Sequence, residues 1–275
     1  MDIEFIVKKA LEEDIGTGDI TTDAAMECIG KDDTTIVALI MAKAKGILCG
    51  IEVAKLVFRT LDPNTEFDAC EDGEELIPDQ RVAKIRGSAR AVLSGERVAL
   101  NFLSHLSGIA TLTRGFVKEI EGTGVKLLDT RKTTPLLREL EKYAVTVGGG
   151  KNHRFGLYDA ILVKDNHLKV LGGIENLNIE RPFEVEVKTL EEFVTAINLP
   201  NVKRIMLDNM DIDKIRKCVK LGGEKVEIEV SGGVALKSIR DIARAGVQYI
   251  SVGAITHSAP VVDMSLEIVG KRKER

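Results

Sequence analysis

The second half of this 275-residue chain alternates between two kinds of segment, and that alternation limits the possible folds more than any other feature. Short apolar runs that read as strands lie at residues 125–128, 160–164, 183–187, 204–207, 226–230 and 249–252. Between several of them stand amphipathic helical stretches, TLEEFVTAIN, DIDKIRKCVKLG and ALKSIRDIARAG. Parallel strands can be joined only by a crossover, usually a helix, so the repetition requires a parallel sheet covered by helices. Five or more such units in one domain predict closure into an α/β barrel, with an open doubly wound sheet as the alternative.

The first hundred or so residues follow another pattern. Between about 30 and 95, the β-rich runs TTIVALIMAKAKGILCG and RVAKIRGSARAVLSG surround one helical stretch, GIEVAKLVFRTL, and the turn-rich DPNTEF and EDGEELIPDQ punctuate them. This predicts an α+β layer with a mostly antiparallel sheet. A long helix is expected in GERVALNFLSHLSGIATLTRGFVKEIEGTG, where Val98, Phe102, Leu103, Leu106 and Ile109 form an apolar stripe and Gly122 and Gly124 end it. At the start, Ile3, Ile6, Val7, Ala10 and Leu11 recur at helical spacing among acids, which reads as an amphipathic helix of the mature protein and not as a secretory leader.

Composition excludes several classes of function. The formal charge is -4, aromatics are 4% and Trp is absent, so neither an electrostatic grip on nucleic acid nor a base-stacking surface is expected. No window approaches the length of a membrane span. Cys28, Cys49, Cys70 and Cys218 are widely spaced without a C-x-x-C pair, which reads as reduced thiols in a cytoplasmic protein. The one charge run, Lys271 to Arg275, reads as a solvated helix end or frayed terminus.

Against that acidic background, positive charge gathers between 129 and 167, in DTRKTTP, GGGKNHRFGL and LVKDNH, which contain Arg131, Lys132, Lys151, His153, Arg154, Lys164 and His167. Such a group would repel itself unless an anion normally fills it. Arginine's planar fork suits carboxylate or phosphate, and lysine adds a point charge. Polar or glycine residues also mark the ends of all six candidate strands: Asp129–Lys132 in number order 129–132, then Lys164, Glu186, Asp208, Ser231-Gly232-Gly233 and Gly253. In a parallel barrel those ends open on one face, where active sites lie. The glycine loops after the last two strands suit a phosphate held by backbone N–H groups. Glu186 and Asp208 could hold a divalent cation, bind ribose hydroxyls, or pair with the lysines nearby.

These blocks are recognisable together. LLDTRKTTPLLRELEKYAVTVGGGKNHRFGLYDAILVKDNHL, with ALEEDIGTGDITTDAA, FEVEV, RIMLDNM, EVSGGV and YISVGAITHSAP, closely resembles the quinolinate phosphoribosyltransferase family over nearly the whole chain. The resemblance implies an N-terminal α/β sandwich domain (1–104) and an incomplete, seven-stranded α/β barrel (105–275), with residues from about 262 onward packing back on the first domain. It implies a decarboxylating pentosyltransferase of NAD biosynthesis that joins quinolinate to phosphoribosyl pyrophosphate (PRPP), with Mg2+ as cofactor. It also implies a homodimer, or a higher assembly of dimers, in which the partner chain supplies Arg97. On this reading Arg131, Arg154 and Lys164 hold the two carboxylates, with His153 beside the pyridine and Thr130 in the same loop. Lys132 contacts the pyrophosphate, and Glu186 and Asp208 bind ribose hydroxyls and Mg2+, directly or through water. Lys132, Glu186 and Asp208 form the catalytic set. Ser231, Gly232, Gly233, Val252, Gly253 and Ala254 bind a phosphate. The family usually has Gly where this chain has Leu136, and a smaller residue where Val230 precedes SGG. A relative with another acceptor should depart from KDNH, and a silent, non-catalytic dimer should have lost one of Arg131, Lys132, Lys164, Glu186 or Asp208. This sequence retains all of them.

Overall fold

The structure is a computed structural model that describes residues 2–29 and 34–271. The chain divides into two compact units, one of Met1–Leu112, Thr134–Gly148 and Ala259–Arg275, the other of Thr113–Thr133 and Gly149–Ser258. The sequence-based boundary at 104/105 differs from this. The break falls inside one long helix, and Thr134–Gly148 belongs with the first unit, as do the residues from about 262 onward that were expected there.

The first unit begins with α1 (Ile3–Ile15), capped by the Asp2 side chain, which accepts from the Glu4 amide at 3.0 Å, and burying Ile6, Val7 and Leu11. Then come α2 (Ile20–Ile29), β1 (Thr35–Ala42), β2 (Gly46–Ile47), α3 (Ile51–Leu61), β3 (Glu66–Ala69), β4 (Glu75–Leu76), β5 (Arg81–Ser88) and α4 (Ala89–Glu119). The helix α5 (Arg138–Val147) and the terminal strand β12 (Met264–Lys271) complete it. Strands run in the order β12-β1-β5-β3, with every neighbouring pair antiparallel. Residues 89–95, read above as β-rich, are instead the first two turns of α4. Ala, Arg and Leu favour helix, and the Ser88 hydroxyl accepts from the Ala91 amide at 3.3 Å to start it. Lys271 ends a strand and not a helix, because β12 pairs along β1 from Ala42 to Ile36; residues 272–275 of the charge run lie outside the described residues.

The second unit holds β6 (Lys126–Leu128), β7 (Leu162–Val163), α6 (Asp165–Leu171), β8 (Phe183–Val187), α7 (Leu190–Ala196), β9 (Val202–Asp208), α8 (Ile212–Gly222), β10 (Glu227–Ser231), α9 (Leu236–Ala243), β11 (Tyr249–Ser251) and α10 (Ala254–His257). Its six strands are parallel in the order β6-β11-β10-β9-β8-β7. Read as a ring, that is simple chain order with the first strand beside the last, the arrangement of a barrel and not of a doubly wound sheet, whose order reverses in the middle. The ring is open between β6 and β7. There Lys151 makes a single parallel bridge to Leu128 and occupies a seventh position.

Alternation along these strands decides what the barrel contains. Val185, Val187, Ile205, Leu207, Ile228, Val230, Ile250 and Val252 are all buried. The residues between them are Glu184, Glu186, Met206, Asp208, Glu229, Ser231, Ser251 and Gly253, and they point the other way, since successive side chains take opposite faces. One face of the sheet is therefore apolar and the other carries charge.

Candidate active site

A cavity of about 730 Å³ opens at the carboxyl ends of the parallel strands. Each strand end delivers a polar group to it. Thr130, Arg131 and Lys132 follow β6; Lys164 and Asp165 follow β7; Glu186 lies on β8 with Lys188 just beyond it. Asp208 ends β9, Ser231 ends β10 and leads into Gly232 and Gly233, and Val252, Gly253 and Ala254 join β11 to α10. His153 and Arg154 enter from the segment between β6 and β7. Every candidate site residue named from the sequence lines this cavity except Arg97, which is exposed on α4 in the first unit. Lys151 and His167 of the basic stretch do not line it. Lys151 is exposed, and the His167 ring accepts the Lys164 amide at 2.9 Å, so it works as a cap for α6.

The basic loops are fixed from below. Asp129 is fully buried, and its carboxylate accepts from the His153 amide at 2.9 Å, tying the first basic loop to the second. The Thr256 hydroxyl donates to the Lys132 carbonyl at 2.7 Å. Asp159 accepts from the Phe155 and Gly156 amides at 2.6 and 3.0 Å and braces the turn after Arg154. The Arg154 guanidinium donates to the Ala160 carbonyl at 3.1 Å. Burial, and then the like charge of Arg131, pull Arg154 below the usual guanidinium value. The Nε of Arg131 is buried without a hydrogen-bond partner among the described residues. Two guanidiniums close enough to disfavour each other, one with a buried unmet donor, are arranged to receive an anion.

Acidic residues hold the opposite wall. Lys164 Nζ lies 2.5 Å from Glu186 Oε2. Lys188 Nζ donates to Asp165 at 2.8 Å, and that hydrogen bond leads the causes that hold Asp165 at about 2. The same contact raises Lys188, with Asp208 and Glu186 adding attraction. Lys188 was missed in the sequence. It lies two residues beyond Glu186, so period-two alternation could have placed it on the same face. Asn209 and His257 were missed too; Asn209 directly follows Asp208 at the end of β9, and His257 ends the short α10 after β11.

Glycine is required at the third wall. Gly232 has φ 88°, and a Cβ there would lie 2.5 Å from the Asn209 side chain; Gly233 has φ 61°, with the nearest neighbour at 3.8 Å. Val230, 2% exposed, faces away from the cavity, so its size leaves the SGG loop free. Leu136 adopts φ 69°, the left-handed backbone that favours the glycine usual at this position.

Beneath the mouth lies a second, buried layer of charge. His153 Nε2 is 3.2 Å from Glu184 Oε2 and 3.6 Å from Glu229 Oε2, and Arg204 reaches the same Glu229 oxygen at 3.0 Å. Burial works against a charged His153, the Glu184 and Glu229 carboxylates favour it, and the balance lies above the usual imidazole value. Burial, then the nearby Glu184, push Glu229 up to about 7.

Comparison with known proteins agrees with this geometry. The family described as "Quinolinate phosphoribosyl transferase, N-terminal domain" matches residues 19–107, and the corresponding C-terminal domain matches residues 109–267. A Bacillus subtilis protein named probable nicotinate-nucleotide pyrophosphorylase (carboxylating) is 42% identical over 265 residues, covering 93% of this chain and 90% of its own. The chloroplastic nicotinate-nucleotide pyrophosphorylase (carboxylating) of Arabidopsis thaliana is 36% identical and aligns with 100% of this chain and 87% of its own. The crystal structure of NadC from Streptococcus pyogenes is similar at 38% identity and a TM-score of 0.89, covering 98% of both chains.

Proposed function

The chain belongs to the quinolinate phosphoribosyltransferase family, and we propose that its barrel mouth transfers the phosphoribosyl group of PRPP to quinolinate with loss of CO2, giving nicotinate mononucleotide and pyrophosphate for NAD biosynthesis. The carrying observation is convergence. One cavity gathers the paired guanidiniums of Arg131 and Arg154, the carboxylates of Glu186 and Asp208 and the glycine loop 231–233. These suit the carboxylates of the acceptor, the hydroxyls of a ribose and a phosphate in turn.

The chemistry follows from those charges. Arg131, Arg154 and Lys164 clamp the dicarboxylate and aim its ring nitrogen at the anomeric carbon of the ribose, which replaces a bimolecular encounter by a positioned one. The bond from that carbon to the pyrophosphate oxygen breaks as the nitrogen bond forms, and Lys132 stabilises the negative charge that leaves. The ring nitrogen, now cationic, stabilises the electron pair left on the neighbouring ring carbon when its carboxylate departs as CO2, and a proton then bonds to that carbon through this pair. Glu186 and Asp208 are hard oxygen donors on neighbouring strands, a set that suits Mg2+ sharing oxygens with the substrate. Bound there, Mg2+ would offset charge on the pyrophosphate.

The reading extends to a cytoplasmic homodimer in which Arg97 of one chain completes the partner's cavity. No helix of the described residues is long and apolar enough to cross a membrane. A paralogue that takes another acceptor, or only binds, is not favoured, because KDNH is intact, none of the five charged residues of which a silent dimer should have lost at least one is missing, and all five line one cavity. Purified protein given quinolinate, PRPP and Mg2+ should form nicotinate mononucleotide, with nicotinate as a poor acceptor; absence of product refutes the assignment. Arg97→Ala and Lys164→Ala subunits, each inactive alone, should regain activity when mixed and allowed to exchange.

A further inference from the structure

Beneath the mouth, Glu184, Glu229 and Arg204 do not line the cavity, yet burying them is costly. Glu229 and Glu184 are 0% and 8% exposed, on β10 and β8, and Arg204 comes from the strand between them. Removing charge from water in this way is retained only with close partners. Those partners form one chain of contacts. The Arg204 guanidinium stacks 3.7 Å from the Tyr249 ring centroid, reaches Glu227 at 3.3 Å and donates to Glu229 at 3.0 Å. Glu229 and Glu184 then converge on a single atom, Nε2 of His153. The arrangement could be taken for a cation site, since His153, Glu184 and Glu229 place ligand atoms within 4.8 Å of one another. The Arg204 guanidinium already supplies the positive charge there, which argues against an ion.

The other face of the imidazole settles its state. Nδ1 of His153 accepts the backbone N–H of Arg154 at 2.7 Å. A nitrogen that accepts an N–H cannot carry a proton itself, so the ring's one proton sits on Nε2, with the nearest oxygens of Glu184 and Glu229 at 3.2 and 3.6 Å. That geometry outweighs the electrostatic preference for a charged ring, because a second proton would have to break the Arg154 contact. We propose that Arg204 and Glu229 are positioning residues which, with Glu184, lock His153 as the neutral Nε2–H tautomer, so that the cavity floor offers a bound heterocycle an uncharged ring with no transferable proton. Charge for binding the carboxylates then comes from the arginines and Lys164 and not from His153, and the proton that replaces CO2 comes from elsewhere.

The inference rests on the transferase reading for its kinetic test but not for its spectroscopic one. The protein has four histidines, so long-range 15N–1H spectra of histidine-labelled protein resolve each ring, with His153→Gln giving the assignment. His153 should show a bare Nδ1 and a protonated Nε2. A proton on Nδ1, or on both nitrogens, overturns the proposal even if the enzyme has another substrate. Glu229→Gln should lower kcat/KM for quinolinate about tenfold, mid-range for side chains coupled in one network, and move KM for PRPP less than about twofold. In a His153→Ala background the same substitution should have no further effect. An equal loss in both backgrounds means that Glu229 only supports the fold and sinks the idea. If Glu229→Gln does not fold, Arg204→Lys keeps the charge, loses the forked contact, and enters the same cycle with the same two outcomes. Failure of wild-type protein to make product refutes the assigned reaction and leaves the tautomer to decide this inference.

Discussion

Adding one methyl group at Gly232 and one at Gly233 should have different costs, and the difference tests the geometry of the phosphate wall. Both residues sit at positive φ, 88° and 61°. An L-residue there costs about 1–2 kcal/mol, offset by about 0.4–1 kcal/mol because alanine has less unfolded freedom to lose. Gly233→Ala meets nothing closer than 3.8 Å, so its net cost is about 1 kcal/mol or less. Gly232→Ala adds a contact of 2.5 Å with Asn209. Asn209 cannot retreat easily, because its own backbone is at φ 54° and its amide is bound to the Ser231 carbonyl at 2.9 Å. Forcing its side chain off rotamer adds about 0.5–1.5 kcal/mol, for a total near 2 kcal/mol.

For a chain of this size 1 kcal/mol moves Tm by about 2–4 °C, so Gly232→Ala should melt about 4–8 °C lower than wild type and Gly233→Ala at most about half as much. Calorimetry measures both. Kinetics supplies the second reading. Either methyl group stands where the backbone must approach a phosphate, so KM for PRPP should rise while KM for quinolinate stays near wild type. Equal melting shifts would show that Asn209 does not confine Gly232. A normal KM for PRPP in both variants would remove the loop from phosphate binding.

Three further outcomes follow from single observations. Glu229, pushed up to about 7 from 4.5, keeps its proton in the folded state where the unfolded chain has released it, so its contribution to stability is greatest below the ordinary carboxylate range and declines as pH rises from 4.5 to about 7; the denaturation midpoint of wild type minus that of Glu229→Gln should fall over that window and level off above it, and a flat difference refutes the shift. Lys164→Ala should lower kcat/KM for quinolinate at least a hundredfold, the scale of losing a charged clamp, while the denaturation midpoint barely moves, because its side chain is 43% exposed and such pairs add about 1 kcal/mol or less; a large stability loss with activity retained reverses the assignment. Leu136→Gly should leave Tm unchanged or slightly higher, whereas Leu136→Val, β-branched at φ 69°, should lower it by a few degrees, about 1 kcal/mol of added strain; a neutral Val variant means the backbone there relaxes.

Much of the fold was legible because its signals are local. All six candidate strands of the second half are present, since apolar runs between helical stretches carry their own punctuation. The start of α4 was not, because ARAVLSG satisfies a strand and a helix equally until a cap at Ser88 decides. The allocation of α5 to the first unit depends on contacts across the chain that no local pattern reports, whereas the return of residues from about 262 onward was expected from the family resemblance and takes the form of the β12–β1 ladder. Within the site, residue type and face were legible but depth was not. Glu184 and Glu186 look alike in FEVEV, yet two residues along a strand are about 7 Å apart. That step separates a cavity wall from the buried layer under it, and Arg204 and Glu229 are silent in sequence for the same reason.

The division of labour along each barrel strand bears on how the site can be altered. Val185, Ile205, Ile228 and Ile250 are buried to within 1% on the apolar face, and hydrophobic burial there supports the fold without help from the cavity. The cavity side can then carry charge that no folding requirement demands, provided that each buried group finds a partner. At the mouth that condition is loose, since Lys164, Lys188 and Asp165 keep one side in water and can be truncated at small cost. One layer down it is strict, because Arg204 is the cation paired with both Glu184 and Glu229, at 3.9 and 3.0 Å, and removal of any one leaves buried charge behind. Changes of acceptor are therefore most accessible through the rim residues, and a variant that alters Arg204 or Glu229 should require a matched change in its partner before specificity can be read at all.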